Sequence, residues 1–149
     1  MKHLVRLLAV LALATAVAPE TQALPGRLRA YGGLVEGDEF LLGAGYELKI
    51  PFVTLIPNAE YVFLDKSYFS LNADATFGFL PIPLVDIWIG AGAGVGFFTP
   101  EQGDSKSYGL VNLLAGVGTD IIPLSPYVQY KFVIKEGADW SVLTFGIRF

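Results

Sequence analysis

The chain of 149 residues has no cysteine and only one histidine, His3. Without thiols it can form neither disulfides nor thiolate metal sites. His3 lies in a leader-like stretch, so the rest of the chain has no imidazole for familiar catalytic dyads and triads or for most zinc sites. We therefore expect no enzyme activity, no cofactor and no metal. The net charge of −4 also offers no basic surface to a nucleic-acid partner.

Long apolar runs are scarce as well, although 53% of the residues are hydrophobic. The one run that suggests a membrane helix covers residues 7–18 and follows the basic residues Lys2 and Arg6. A short apolar run behind a basic start is typical of a secretory signal peptide. An uncleaved membrane anchor is less favoured, because the run is shorter than the roughly 20 residues that span a bilayer.

Two cleavage points compete at the end of this leader. Cleavage after Ala18 would leave Pro19 directly behind the cut, which is unfavourable, whereas cleavage after Ala23 avoids that problem. We therefore predict a signal peptide over residues 1–23. The remaining residues 24–149 suit a single exported domain.

The most abundant pattern in the chain is the alternation of apolar residues with small or polar ones. Counting back from Phe149, every second residue is apolar through Ile147, Phe145 and Leu143, which predicts a strand with one apolar face. Turn signals divide the chain into eight such segments of about 9–13 residues, the length of a tilted membrane strand. The predicted strands cover residues 28–36, 39–49, 55–64, 68–79, 85–98, 108–120, 126–135 and 140–149.

The connections between these strands alternate in character. One set is short and acidic, at residues 36–38, 65–67, 99–107 and 136–139. The other set carries proline, at residues 50–52, 81–83 and 123–126. Proline is admissible at turns and strand starts because it cannot donate to a strand ladder. Two alternating sets indicate an up-and-down barrel with one set at each rim.

A last strand that ends on phenylalanine resembles the assembly signal of bacterial outer-membrane barrels, carried here by Phe145, Ile147 and Phe149. Length, strand count and last strand together resemble the small eight-stranded outer-membrane barrels of the OmpA/OmpX type. The resemblance implies an all-β, antiparallel, up-and-down transmembrane barrel in the outer membrane of a Gram-negative cell. It also implies a monomer in contact with lipid and lipopolysaccharide, which the barrel-assembly machinery recognises through its last strand. The proline connections would then be periplasmic and the acidic ones extracellular.

Charged side chains are predicted to face the barrel interior near its periplasmic rim. Adjacent first and last strands would bring Arg29 close to Arg148, with Glu47 as the natural partner of Arg29. These groups form either a plug, since an eight-stranded interior is about filled by side chains, or a narrow gate for protons and ions. The predicted lumenal charge network comprises Arg29, Glu47, Glu60, Asp86, Asp120, Lys131 and Arg148.

A ladder of inward glycines follows the fifth strand. Their spacing of two, with no helix behind them, does not fit a phosphate-binding loop. They predict a groove that is filled by Tyr68, Tyr108 and Leu110 or that holds a small ligand or a lipid tail. The glycine groove comprises Gly90, Gly92, Gly94 and Gly96.

A set of aromatic residues is predicted to face lipid towards the strand ends, as interfacial girdles do. In a soluble barrel they would instead fill a core. The set comprises Tyr46, Tyr61, Phe63, Phe69, Phe77, Phe79, Phe97, Tyr130, Phe132, Phe145 and Phe149.

The function favoured by these patterns is structural or interactive: the protein sustains the envelope or presents its acidic loops to partners. A narrow pore or a channel for small hydrophobic ligands is the first alternative. A soluble, lipocalin-like periplasmic lipid carrier with the same strand count is the second.

Overall fold

The computed structural model describes residues 26–63, 67–80, 82–100, 103–120 and 124–149. The predicted signal peptide, residues 1–23, lies outside the described residues. The eight strands each begin and end within two residues of the predicted bounds. They are β1 (Gly26–Val35), β2 (Glu39–Ile50), β3 (Val53–Phe63), β4 (Ser67–Gly78), β5 (Val85–Thr99), β6 (Lys106–Thr119), β7 (Pro126–Lys135) and β8 (Ala138–Arg148).

The strands pair antiparallel in chain order and close into a barrel through β1 and β8. Arg29 pairs with Arg148 and Val35 with Val142 in this closing register. Leu28 and Phe149 exchange both backbone hydrogen bonds, at 2.9 and 3.0 Å, so the pairing extends to the last residue. Closure leaves no free sheet edge. The predicted eight-stranded antiparallel barrel is confirmed.

The two faces of the barrel differ in polarity. Buried positions inside include charged groups such as Arg29, Glu60 and Lys131. Outside, large apolar side chains are exposed on every strand. Of the aromatic residues predicted to face lipid, all are exposed except Tyr46, which is half-buried. A polar interior inside an apolar exterior is the arrangement of a transmembrane barrel and the reverse of a soluble carrier. The carrier alternative is therefore wrong.

The barrel has two mouths. The terminal mouth carries both ends of the described chain and the β2–β3, β4–β5 and β6–β7 connections, and the distal mouth carries the other four connections. The β2–β3 turn is tight, because Ile50 pairs with Val53 across Pro51 and Phe52. Phe52 adopts a φ of 75°, a conformation that usually requires glycine or asparagine. Within the described ranges, no helix is long and apolar enough to cross a membrane.

Candidate functional site

The middle of the lumen is crossed by a buried ion pair. The Lys131 ammonium on β7 contacts the Glu60 carboxylate on β3, and the Lys131 side chain is only 1% exposed. Tyr31 on β1 donates a hydrogen bond to Glu60 Oε1 at 3.0 Å. Because an unpaired charge would be very costly at this depth, the three groups stabilise one another as a unit.

An amide and carboxylate cluster lies beside this pair. Asn58 and Asn112 donate hydrogen bonds to the two oxygens of Asp74, at 2.7 and 2.9 Å. Asn72 bridges the set, since it donates to Asn58 Oδ1 and accepts from Asn112, both at 3.2 Å. Asp74 was not among the predicted network residues. Its signal was available, because the period of two on the fourth strand places it on the same face as Asn72.

Arg29 lies between the middle of the lumen and the terminal mouth. Its Nε atom is 3.4 Å from Glu47 Oε1, an ion pair that lacks hydrogen-bond geometry. Its Nη2 atom donates to Gln129 at 3.3 Å, and its guanidinium stacks 4.1 Å from the centre of the Tyr127 ring. The structure therefore brings together the Arg29 and Glu47 side chains that the sequence paired, and it adds an aromatic face.

A second arginine organises the terminal mouth. Arg148 on β8 donates hydrogen bonds to Asp86 at 3.1 Å and to Asp120 at 3.2 Å. Asp120 also accepts hydrogen bonds from both terminal nitrogens of Arg27, at 2.6 and 3.1 Å. The hydrogen bonding by Arg27 holds the pKa of Asp120 well below its usual range, although partial burial acts in the opposite direction. Sequence reasoning missed Arg27, one position before the predicted start of its strand.

The predicted network is thus divided between two depths. Asp86 and Asp120 are partly exposed at the terminal mouth, with 46% and 36% of their side chains accessible. Glu60 and Lys131 line neither mouth cavity and lie between them. The expectation that all seven charges lie nearer the rim of the terminal mouth is wrong for Glu60 and Lys131, because Glu60 lies in the distal half of β3 and Lys131 in the middle of β7.

The space above the β5 glycines is occupied by side chains of β4. A Cβ atom at Gly90 would lie 2.8 Å from Thr76 Cγ2, and one at Gly96 would collide with the Tyr68 ring. Gly92 and Gly94 are covered in the same way by Asp74 and Asn72. The glycines therefore accommodate neighbouring side chains, and the predicted groove is filled. Of the three fillers named from the sequence, Tyr68 lies over a glycine.

Open space remains at the two mouths. The terminal cavity is about 150 Å³ and is lined by charged groups that include Arg29, Glu47 and Asp86. The distal cavity is about 300 Å³ and is lined by four aromatic, two valine and three charged side chains. Among the residues that the structure describes, no cluster of three or more histidine, cysteine, aspartate or glutamate side chains could hold a metal ion.

Comparisons with known proteins connect this architecture to a fold. No family model matches the sequence. No curated protein matches it either. Among solved structures, the N-terminal β-barrel domain of Pseudomonas aeruginosa OprF superposes with a TM-score of 0.69 at 17% identity, covering 86% of this chain and 100% of that domain.

The chain has the fold of the small outer-membrane β-barrels. Neisserial surface protein A (NspA) has the same fold, with a TM-score of 0.64 and 13% identity over 83% of this chain and 94% of that one. An outer-membrane location, predicted from the sequence, agrees with this fold and with the apolar exterior.

The expectation that the protein is not an enzyme was wrong, because this fold does not exclude enzyme activity. The outer membrane enzyme PagL has this fold, with a TM-score of 0.55 and 15% identity over 83% of this chain and 98% of that one. The expectation relied on missing histidine and cysteine side chains. A fold does not decide whether catalysis occurs, since activity resides in particular groups placed on it.

Proposed function

We propose that the protein is a closed structural barrel of the outer membrane that acts through its surfaces rather than by passing solutes. The observation that supports this is the continuous network across the middle of the lumen, from the Glu60–Lys131 pair to the cluster around Asp74. The polar groups of these side chains form hydrogen bonds and ion pairs with one another, and the side chains occupy the space between the two mouth cavities. The remaining surfaces are the lipid-facing exterior and the short connections, which can support the envelope or contact partners.

The proposed orientation places both termini in the periplasm and the distal mouth outside the cell. Acidic side chains outnumber basic ones among the described residues of that mouth. The acidic residues are Glu36, Asp38, Glu39, Asp104, Glu136 and Asp139, and the basic ones are Lys106 and Lys135. In this orientation the barrel presents a negatively charged rim to the outside.

The proposed processing removes residues 1–23, so that the exported protein begins at Leu24. Amino-terminal sequencing of the protein purified from outer membranes tests this proposal directly. A first residue at Pro19 would move the cleavage point to Ala18, and an intact Met1 would favour the uncleaved anchor.

Planar-bilayer conductance combined with thermal unfolding tests the closed lumen. We expect the wild-type protein to show no steady conductance. Arg148→Ala should lower thermal stability without raising conductance, because Asp86 and Asp120 lose a buried partner while the mid-lumen network stays intact. Lys49→Ala is a matched control, since Lys49 lines the same mouth but forms no ion pair among the described residues.

A narrow pore is the second candidate, favoured by the presence of a cavity at each mouth of the lumen. Steady conductance steps in the wild-type protein would support the pore. Raised conductance of Arg148→Ala with unchanged stability would likewise contradict the closed barrel.

A further inference from the structure

The distal mouth contains a cavity lined by aromatic, aliphatic and charged side chains, which we call the distal cup. Its aromatic lining residues are Tyr68, Phe98, Tyr108 and Trp140. Its volume of about 300 Å³ lies at the lower end of the range for sites that hold small molecules. The filled lumen lies below it, so the cup is a recess that opens at the distal mouth.

The base of the cup is apolar and buried. Val35 and Val62 are 5% and 4% exposed and belong to the buried core beneath the mouth. Tyr68 and Trp140 pack against that core and meet edge to face, with ring centres 5.9 Å apart. The Tyr68 hydroxyl is buried and has no hydrogen-bond partner among the described residues. These contacts hold the Tyr68 and Trp140 rings in place before any ligand arrives, which reduces the entropic cost of binding.

One wall of the cup already holds a cation. The Lys135 ammonium lies 4.0 Å from the centre of the Tyr108 ring, well within the range of a cation–π interaction. The face of Tyr108 is therefore accessible to a positively charged group at the distal mouth. A flexible lysine side chain can leave this ring and be replaced on it by a ligand.

Carboxylates supply the other charges of the cup. Glu36 and Glu39 line it together with Lys135, which leaves the cup with an excess of negative charge. The neighbouring Asp38, Asp104, Glu136 and Asp139 outnumber Lys106 and extend the negative charge around the distal mouth. The electrostatic field of the carboxylates and the faces of the aromatic rings both attract positive charge. The complementary ligand is therefore a cation with an apolar body.

We propose that the distal cup binds small organic cations that carry an aromatic or other apolar body. The cationic group takes the place of Lys135 on Tyr108, near Glu36 and Glu39, and the apolar body packs against Tyr68 and Trp140. This inference names a ligand class for the surface-interaction role proposed above. Binding to the purified barrel does not depend on whether the lumen conducts, so the two proposals can fail separately.

Solution NMR of the purified barrel in a neutral detergent tests the cup with benzyltrimethylammonium as the probe. The chain has two tryptophans, which provide an internal comparison. Trp140 lines the cup, whereas the Trp88 indole donates to Gln129 inside the barrel at 3.2 Å. We expect the Trp140 indole signal to shift with a dissociation constant of about 1 mM, typical of a few weak contacts, while the Trp88 signal stays in place. Phenylmethanesulfonate, of similar shape and opposite charge, should bind at least several-fold more weakly.

Variants of the charged groups give the sharpest test. Lys135→Gln should strengthen benzyltrimethylammonium binding several-fold, because the competing ammonium is removed. The double variant E36Q/E39Q should weaken binding several-fold. The double variant D38N/D104N also removes two negative charges, but these lie outside the cup. It should weaken binding less than E36Q/E39Q does. This comparison separates direct contact with the ligand from the long-range electrostatic field of the distal mouth.

Two results would overturn the proposal. The first is the absence of a saturable Trp140 shift with the ammonium probe in both the wild-type protein and Lys135→Gln. The second is tighter binding of phenylmethanesulfonate that Lys135→Gln abolishes, since this would identify an anion site. A Trp88 indole signal at its wild-type position in the variant spectra shows that the barrel is folded in each measurement, because this position depends on the buried contact with Gln129.

Discussion

Lys131 is the most deeply buried charged side chain among the described residues, and its interactions show how single residues shape this lumen. Removing an ammonium and a carboxylate from water is costly, and only close pairing with additional hydrogen bonds offsets that cost. Glu60 meets this requirement through Lys131 and Tyr31 together. Removing one partner of the pair should therefore destabilise the fold more than replacing both partners.

The first prediction concerns this pair. Lys131→Met should lower the free energy of unfolding by about 3–5 kcal/mol, because Glu60 is left as an uncompensated buried charge. The double variant E60Q/K131M should recover a large part of that loss. Urea unfolding in detergent micelles, followed by the gel migration of folded and unfolded forms, measures both. Equal losses in the single and double variants would show that the pair does not act as a unit.

The second prediction concerns Asp120, whose pKa is lowered in the folded protein chiefly by the hydrogen bonds from Arg27. A carboxyl group with a lowered folded-state pKa stabilises the fold above its unfolded pKa of about 3.9, and this contribution is lost as the pH falls towards the folded pKa. Wild-type stability should therefore fall below about pH 4 more steeply than that of Asp120→Asn.

Unfolding curves between pH 7 and pH 2 measure this difference. Asp120 is partly exposed, so solvent screening keeps its contribution small. Asp104→Asn, on an exposed distal connection, is the control and should follow the wild-type curve. If the wild-type and Asp120→Asn curves run parallel over the whole range, the link between Arg27 and Asp120 does not contribute to stability.

At the scale of strands, the lumenal side chains of β4 are larger than those of its neighbour β5, which are mostly glycine hydrogens. The polar side chains of β4 lean across the backbone of β5, where alternate glycines provide room for them. The sequence predicted inward glycines but not the direction in which their neighbours lean. That direction depends on side-chain packing between paired strands, which the pattern of one strand does not contain.

The third prediction compares two glycines on adjacent strands. A Cβ atom at Gly92 would lie against the Asp74 carboxylate and 2.7 Å from the Ala73 carbonyl oxygen, whereas at Gly109 nothing lies within 4 Å. Gly92→Ala should therefore lower the free energy of unfolding by about 1–3 kcal/mol, because backbone atoms must move. Gly109→Ala should be neutral or slightly stabilising, because it only restricts the unfolded chain. Similar effects in the two urea titrations would contradict this packing.

At the scale of the whole molecule, closure depends on the last strand. β8 pairs with β7 on one edge and with β1 on the other, and Phe149 completes the second ladder through Leu28. The Phe149 ring is 54% exposed on the outside of the barrel. We propose that the same residue is read by the assembly machinery and then becomes part of the seam.

The fourth prediction is that deletion of Phe149 impairs insertion into the outer membrane. Deletion removes both backbone hydrogen bonds to Leu28 and the exposed ring, whereas Phe149→Ala removes the ring alone. Phe79→Ala is the matched control, since Phe79 is comparably exposed at 51% near the same mouth. Membrane fractionation and heat-modifiable gel migration measure the folded fraction. Normal insertion of the deletion variant would remove the support for an assembly signal at the C-terminus.

The sequence by itself determined the number of strands, their bounds to within two residues and the alternation of residues between the lumenal and the outer face. These properties follow from a period of two and from local turn chemistry, which need no information about distant parts of the chain. Arg29 and Glu47, on neighbouring strands, were paired from the sequence, but only the tertiary structure decided which lumenal groups of non-neighbouring strands meet. Glu60 meets Lys131 from β7, and Asp120 meets Arg27 from β1, because strand tilt and stagger bring non-neighbouring strands to a common height. Closure of the sheet is a non-local event, so the partners of these charges are absent from the pattern of any single strand.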